Sequence, residues 1–407
     1  MTIAWGYEVE ARKMHQERAV IVGAGPAGVS TAVSLRDRGV VPILLERADQ
    51  VANWWRSRGE TDRLNTPNRL SHMPGRPYPK RTPTFPTCSQ VADYFAGYAH
   101  QDGIRLMLGI TVERIDSHRG GWTVVTSDGD IATDNVVIAT GHANTPYIPA
   151  WTRLDTFTGE LLHSSEFRDA VDHAGKRVLV VGSGPGGLEA AHALAPVATK
   201  VWLAVRNPPN ILIRNGFQGV SPELIAAPLY HAPVAVADAV ARFVRLRTVG
   251  DLTPYGLPIP NDGPFAACAA RNDPPTVVDA GVIGSIRNGS IEVVKTIDSF
   301  DRSAVSLVDG TRLEPDVVIC ATGFRSGLHD VVGHLGLLDH RGYPMRLAPE
   351  PAAHGLWFIG YQLRPSLIGH VGKQSRQLAK QIVAHSPSYA GIRERCWSTG
   401  ESTEPSG

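Results

Sequence analysis

Two stretches of the chain repeat one order of apolar and polar positions. Ala19-Val20-Ile21-Val22 is a short apolar run ending in a glycine turn, and Val178-Leu179-Val180-Val181 repeats the arrangement. Continuous β-branched runs bounded by glycine read as buried parallel strands. After each turn come helix-compatible residues with an apolar face: Val29, Ala32 and Val33 in the first, Leu188, Ala191 and Leu194 in the second. A further strand follows in each, Val41 to Leu45 and Lys200 to Val205. The pattern predicts two βαβ units.

A subtler repeat accompanies them. Asp134-Asn135-Val136-Val137-Ile138-Ala139-Thr140-Gly141 is echoed by Asp316-Val317-Val318-Ile319-Cys320-Ala321-Thr322-Gly323. Each is preceded by a hairpin signal, Asp128-Gly129 or Asp309-Gly310, between alternating residues. These strands are expected to mark crossings of the chain between two domains. The expected division is a discontinuous first domain at 1–148 and 305–407, with a second domain at 149–304 inserted in it. Within the insert, about 208–280 is rich in proline and reads as a loop-and-helix insertion that caps an active site.

Length and composition narrow the class. A chain of 407 residues with 43% hydrophobic content can bury large cores in two to three domains. Lys plus Arg total 40 against 39 acids, a net charge of +1, so no long-range field favours nucleic acid. The N-terminus, Met1 to Arg18, mixes Glu8, Glu10 and Glu17 with Arg12 and Lys13 and is no secretory signal. No apolar run approaches the roughly 20 residues needed to cross a bilayer. The most apolar region, Leu224 to Phe243, is interrupted by Pro228, His231, Pro233, Asp238 and Arg242 and reads as a helical lid or core segment in preference to a membrane-surface helix. The tail Ser398–Gly407 is polar and reads as disordered. A cytoplasmic protein is expected, with a homodimer left open.

The two glycine turns carry the first chemistry. Gly23-Ala24-Gly25-Pro26-Ala27-Gly28 and Gly182-Ser183-Gly184-Pro185-Gly186-Gly187 both fit the dinucleotide fingerprint. Gly23 permits the tight bend, Gly25 lets the backbone approach a pyrophosphate, and Gly28 lets helix and strand pack, with Gly182, Gly184 and Gly187 in the same roles. Glu46, ending the second strand of the first unit, is placed to accept hydrogen bonds from an adenosine ribose. The equivalent strand of the second unit ends in Arg206 instead. A carboxylate there would repel a 2′-phosphate and a guanidinium binds it, so NADPH is favoured over NADH. Four cysteines, Cys88, Cys268, Cys320 and Cys396, lie far apart with no close pair, which removes dithiol redox chemistry. No His/Cys/carboxylate grouping has metal-ligand spacing.

Between the turns runs Phe157, Gly159 and His163, continued by Ser164, Ser165 and Phe167. This string resembles the FxGxxxH of the flavin-containing monooxygenase family, in its YUCCA-like branch and bacterial relatives. Gly250 to Leu257, Ala321 to Ser326 and Gly355 to Gly360 also resemble that branch, so the likeness covers nearly the whole chain. The resemblance implies an α/β fold of two Rossmann-like dinucleotide-binding domains, the NADPH domain inserted in a discontinuous FAD domain. It implies that NADPH reduces FAD, and that O2 then gives a C4a-(hydro)peroxyflavin delivering one oxygen atom to a small organic substrate. Three outcomes stay open: N- or S-oxidation, oxidative decarboxylation of a 2-oxo acid, and Baeyer–Villiger insertion into a ketone. An NADPH-dependent reductase feeding a partner protein is the rival from another class. By resemblance Asn65 and His163 are catalytic candidates. Trp55, Arg56, Gly323 and Gly360 join the FAD site, and Phe157, Gly159, Ser164 and Ser165 the NADPH site.

Overall fold

The computed structural model describes residues 18–58, 62–216, 220–364 and 366–385. The N-terminal stretch through residue 17 and the tail at 398–407, both read above, lie outside the described residues, as does Cys396.

Two five-stranded parallel sheets organise the chain. The first has the order Leu356–Phe358, Val136–Ile138, Val20–Val22, Ile43–Glu46 and Arg105–Leu108. Three of these strands are buried throughout, as parallel sheets covered on both faces require. Helices Pro26–Arg36, Cys88–Ala99 and Leu367–His385 cover one face. Pro26 opens its helix where a missing N–H costs nothing, and Thr87 with Gln90 forms a capping box at the start of the second. A three-stranded antiparallel sheet, Val112–His118, Gly121–Thr126 and Ile131–Thr133, covers the other face.

The second sheet repeats the plan in the order Glu292–Lys295, Lys200–Val205, Arg177–Val181, Val317–Cys320 and Glu160–His163. Helices Pro185–Leu194 and Ala280–Arg287 pack on one side. The hairpin strands Ile297–Phe300, Val305–Leu307 and Arg312–Leu313 pack on the other.

The two Ala-Thr-Gly strands therefore occupy equivalent places, each beside the first strand of its own sheet. This differs from the expected crossing near 305, because residues 305–320 bury their apolar positions against Leu179 and Val181 of the second sheet. An alternating pattern identifies a hairpin without saying which sheet it covers. The two crossings lie side by side: Thr145–Pro146 pairs antiparallel with Phe324–Arg325.

The proline-rich insertion holds a parallel strand pair, Ile211–Ile213 with Thr276–Val278, and helices Pro222–Leu229, Val234–Thr248 and Pro264–Arg271. The apolar region expected to be helical is thus two helices, separated at residues 230–233. Ala237, Ala241 and Val244 recur at helical spacing and form the buried face of the second.

Candidate active site

The glycine turns are built on one template. Gly23 has φ +100° and Gly182 φ +116°, and a side chain on either would collide with the carbonyl of Ala139 or Ala321 respectively. Gly28 and Gly187 pack against the carbonyls of Gly23 and Gly182 in turn. Each Ala-Thr-Gly strand thus supplies the surface on which its own glycine turn is folded. Gly25 and Gly184 are different: a Cβ there would meet nothing within 4 Å. The middle glycine of each turn is open, as the approach of a pyrophosphate to backbone N–H groups at a helix N-terminus demands.

Both units face one cavity of about 1380 Å³. Its walls include Gly23, Gly25, Glu46, Trp55, Thr140, Gly141, Ser164, Ser165, Gly360 and the Gly186–Glu189–Ala193 face of the second helix. Glu46 is held in place by its own turn, accepting from Ala24 N–H at 2.8 Å and Ala48 N–H at 3.0 Å. Gly360 has φ +88° and lies against Ala27. Arg206 is exposed, two residues beyond Ala204, whose carbonyl accepts from Gly182 N–H at 3.0 Å. Among the described residues no ion pair is formed by Arg206.

Several expected residues are placed elsewhere. Phe157 packs edge-to-face on Phe300 with ring centroids 5.4 Å apart, and a Cβ on Gly159 would collide with the Phe157 ring. Glu160 is level with Val317 and Val317 with Val178, so Gly159 lies at the opposite end of the parallel sheet from Gly182. Five residues of strand separate them, roughly 16 Å. Phe157 and Gly159 pack together at the edge of the second core, at the end of the sheet away from the second glycine turn. Arg56 turns away from the cavity to pair with Asp93 at 2.9 Å. Gly323 follows the interior strand Val317–Cys320 of the second sheet, its carbonyl accepting from His163 Nε2 at 2.9 Å and Tyr147 N–H at 3.0 Å. Its equivalent in the first repeat, Gly141, is the one that lines the cavity.

His163 is 1% exposed, and both ring nitrogens are used. Nδ1 accepts from Ser165 N–H at 3.1 Å, and Nε2 donates to Gly323, which describes a neutral ring with its proton on Nε2. Burial lowers its pKa against the raising effects of Gly323 and Glu166. His163, the catalytic candidate, thus joins the strand Glu160–His163 to Gly323.

Asn65 lies outside the lining but is fastened to it. Arg214, 7% exposed and unmarked in the sequence, donates from Nε to Asn65 Oδ1 at 2.9 Å. Its other nitrogens pair with Glu189 at 2.8 Å and Asp279 at 2.9 Å. Glu189 lines the cavity, 32% exposed, and burial pushes its carboxyl up to about 7 although Arg214 opposes the shift. His142, also missed, lines the same cavity with its pKa lowered by burial.

Known proteins share this architecture. The model of the pyridine nucleotide-disulphide oxidoreductase family matches residues 20–215. Among solved structures, a flavin-containing monooxygenase from Stenotrophomonas maltophilia superposes with a TM-score of 0.68 over 90% of this chain and 98% of its own, at 23% identity. OTEMO in complex with FAD and NADP superposes with a TM-score of 0.68 over 92% and 84%, at 19% identity. Those likenesses concern the fold. In sequence, the probable indole-3-pyruvate monooxygenase YUCCA9 of Arabidopsis thaliana is 32% identical over 87% of this chain and 86% of its own. Indole-3-pyruvate monooxygenase YUCCA1 of Oryza sativa subsp. japonica is 33% identical over 92% and 93%. The chain belongs to the YUCCA-like flavin monooxygenases. It is a flavoprotein monooxygenase whose cofactors are FAD and NADPH. The open middle glycines and the ordered Glu46 carboxylate fit those two dinucleotides on the residues present. Among the described residues no helix is long and apolar enough to cross a membrane.

Proposed function

We propose that this YUCCA-like monooxygenase acts on an aryl-2-oxo acid by oxidative decarboxylation, with FAD on the first turn and NADPH on the second. The balanced reaction converts R–CO–COO⁻, O2, NADPH and a proton to R–COO⁻, CO2, H2O and NADP⁺. One observation carries the cofactor placement: a single cavity reaches both the first glycine turn and the helix of the second. The oxo acid is supported by the relatives, whose names specify indole-3-pyruvate.

Bound FAD supplies the hydride acceptance and O2 reduction that no side chain can perform. The protein's part is to bind, orient and exclude water. Gly25 and Gly184 admit the two pyrophosphates, Glu46 holds a ribose, and Arg206 takes the 2′-phosphate. Ser164 and Ser165, on the cavity wall, would contact the second nucleotide. Asn65, its Oδ1 held by Arg214, has its amide fixed in one orientation, so its NH2 is the end left for the reacting centre. In this reading His163, Phe157 and Gly159 position the second sheet and touch no substrate. We further propose a cofactor domain around each sheet, with both crossings in the Thr145–Pro146 and Phe324–Arg325 ribbon.

Asn65 also favours a second reading, oxidation of an amine or sulfide, because its amide resembles that of heteroatom-oxidising members. Supplying the FAD-loaded enzyme with NADPH, O2 and matched aryl-2-oxo acid, amine, sulfide and ketone decides between them. Substrate-dependent CO2 release from the oxo acid alone supports the first reading, and turnover of the amine or sulfide alone replaces it with the second.

A further inference from the structure

A second cavity, of about 390 Å³, lies between the helical insertion and the chain's last third. Tyr230, Phe265, Tyr343 and Tyr361 give it aromatic walls, and Arg364 stands at one end. The Arg364 guanidinium lies over the Tyr230 ring, 4.5 Å from its centroid. Its Nε is buried with no hydrogen-bond partner, and no carboxylate pairs with it among the described residues. Nearby, the buried Nε2 of His370 is also without a partner. Burial, then Arg364 and Lys373, lower the His370 pKa to about 4, so its ring is neutral at neutral pH and adds no charge beside Arg364.

The neighbouring acids are already engaged. Asp339, on the cavity wall, accepts from Arg341 N–H and Tyr343 N–H at 2.9 Å each and faces the Arg341 side chain at 3.5 Å. Glu223 accepts from Ser366 N–H at 2.7 Å and Ser366 Oγ at 3.3 Å. An arginine partly removed from water with no anion, its buried Nε–H unpaired, is completed by an anionic ligand. The aromatic walls select a flat apolar body attached to that anion. This pocket also shares a wall with the cofactor cavity. Gly360 lines one and Tyr361 the other, and the Tyr361 hydroxyl is 2.7 Å from Oγ1 of Thr140 on the cofactor side.

We propose that this second cavity is the binding pocket for an aryl carboxylate, with Arg364 pairing the carboxylate and Tyr230 and Phe265 flanking the ring. The proposal rests on the aryl-2-oxo acid reading for its ligand chemistry and adds the residues that select it. Arg364 is then a specificity residue: it favours a carboxylate over the amine of otherwise equal shape.

The test uses oxidised FAD-loaded enzyme and two unreactive probes of one shape, indole-3-propionate and tryptamine, titrated by calorimetry. The wild type is expected to bind the propionate more tightly. Arg364→Gln should weaken the propionate about tenfold or more with tryptamine unaffected, the scale of a lost charge-assisted contact. Arg364→Lys should keep most of the propionate affinity, and Tyr230→Leu should weaken binding of the ring. Flavin content of each variant reports folding, and the Lys and Leu variants carry the test should the Gln variant lose FAD. Equal propionate affinity in wild type and Arg364→Gln, or tryptamine bound as tightly as the propionate by wild type, overturns the proposal. Arg364-dependent propionate binding without oxo-acid turnover would instead defeat the reaction assignment and leave the pocket standing.

Discussion

Arg214 Nε donates to Asn65 Oδ1 across 2.9 Å, joining residues 149 positions apart. The same guanidinium holds Glu189 on the cavity wall and Asp279 at the start of the helix Ala280–Arg287. One buried cation therefore sets the Asn65 amide relative to the helix Pro185–Leu194. Asn65→Ala is expected to leave flavin reduction by NADPH intact and to increase hydrogen peroxide released per NADPH consumed. Arg214→Gln should do the same and lower stability by about 1–3 kcal/mol, since two carboxylates lose their cation but remain partly solvated. Adding Arg214→Gln to Asn65→Ala should release no further peroxide. Additive release would show that Arg214 acts independently of Asn65.

Glu189 gives the fold a pH dependence of definite sign. Burial pushes its carboxyl up to about 7, above the ordinary 4.5, so the folded state favours the protonated form. The resulting penalty is absent below about pH 4.5, grows up to about pH 7, and is complete above it. Glu189→Gln should therefore gain stability relative to wild type as pH rises from 5 to 8, by about 1–3 kcal/mol after allowance for partial exposure. Thermal unfolding of both proteins across that range checks this, and a stability difference that falls with pH contradicts the sign.

Arg206 is expected to read the 2′-phosphate. Arg206→Ala should raise the Michaelis constant for NADPH roughly 10- to 100-fold, the scale of a charge-assisted contact, and leave that for NADH nearly unchanged. Equal effects on both nucleotides would remove the assignment.

The Phe157–Gly159 brace separates a folding role from a binding one. Gly159→Ala drives a methyl into the Phe157 ring and should cost about 1–3 kcal/mol of stability by overpacking. The NADPH Michaelis constant of the folded fraction should stay unchanged. A selective rise in that constant would return Gly159 to the nucleotide site.

What could be read from the chain follows from how local each signal is. The glycine turns, Glu46 and Arg206 lie within βαβ units whose geometry is set over a few tens of residues. Their positions were legible in the residues. Arg214 was not, because it follows the apolar strand Ile211–Ile213 like any strand-end arginine and acquires its role only from distant partners. The same limit applies to Arg56, whose partner Asp93 lies on another helix. The Phe-x-Gly-x-x-x-His string resembled the family, while the packing of Phe157 on Phe300 and the bond from His163 to Gly323 depend on distant residues that the string does not show. The match between Ala139 and Ala321, visible as a repeat, acquired its physical meaning when each carbonyl was found packed on its own first glycine.

The central claim is that one cavity brings the two dinucleotides together to place one atom of O2 on a 2-oxo acid. FAD-loaded enzyme supplied with NADPH, ¹⁸O2 and indole-3-pyruvate tests it most directly, with labelled product and CO2 quantified against NADPH consumed. One ¹⁸O atom in the product carboxylate and one CO2 are expected for each NADPH oxidised. NADPH oxidation that yields hydrogen peroxide alone, with no label in an organic product, would contradict it.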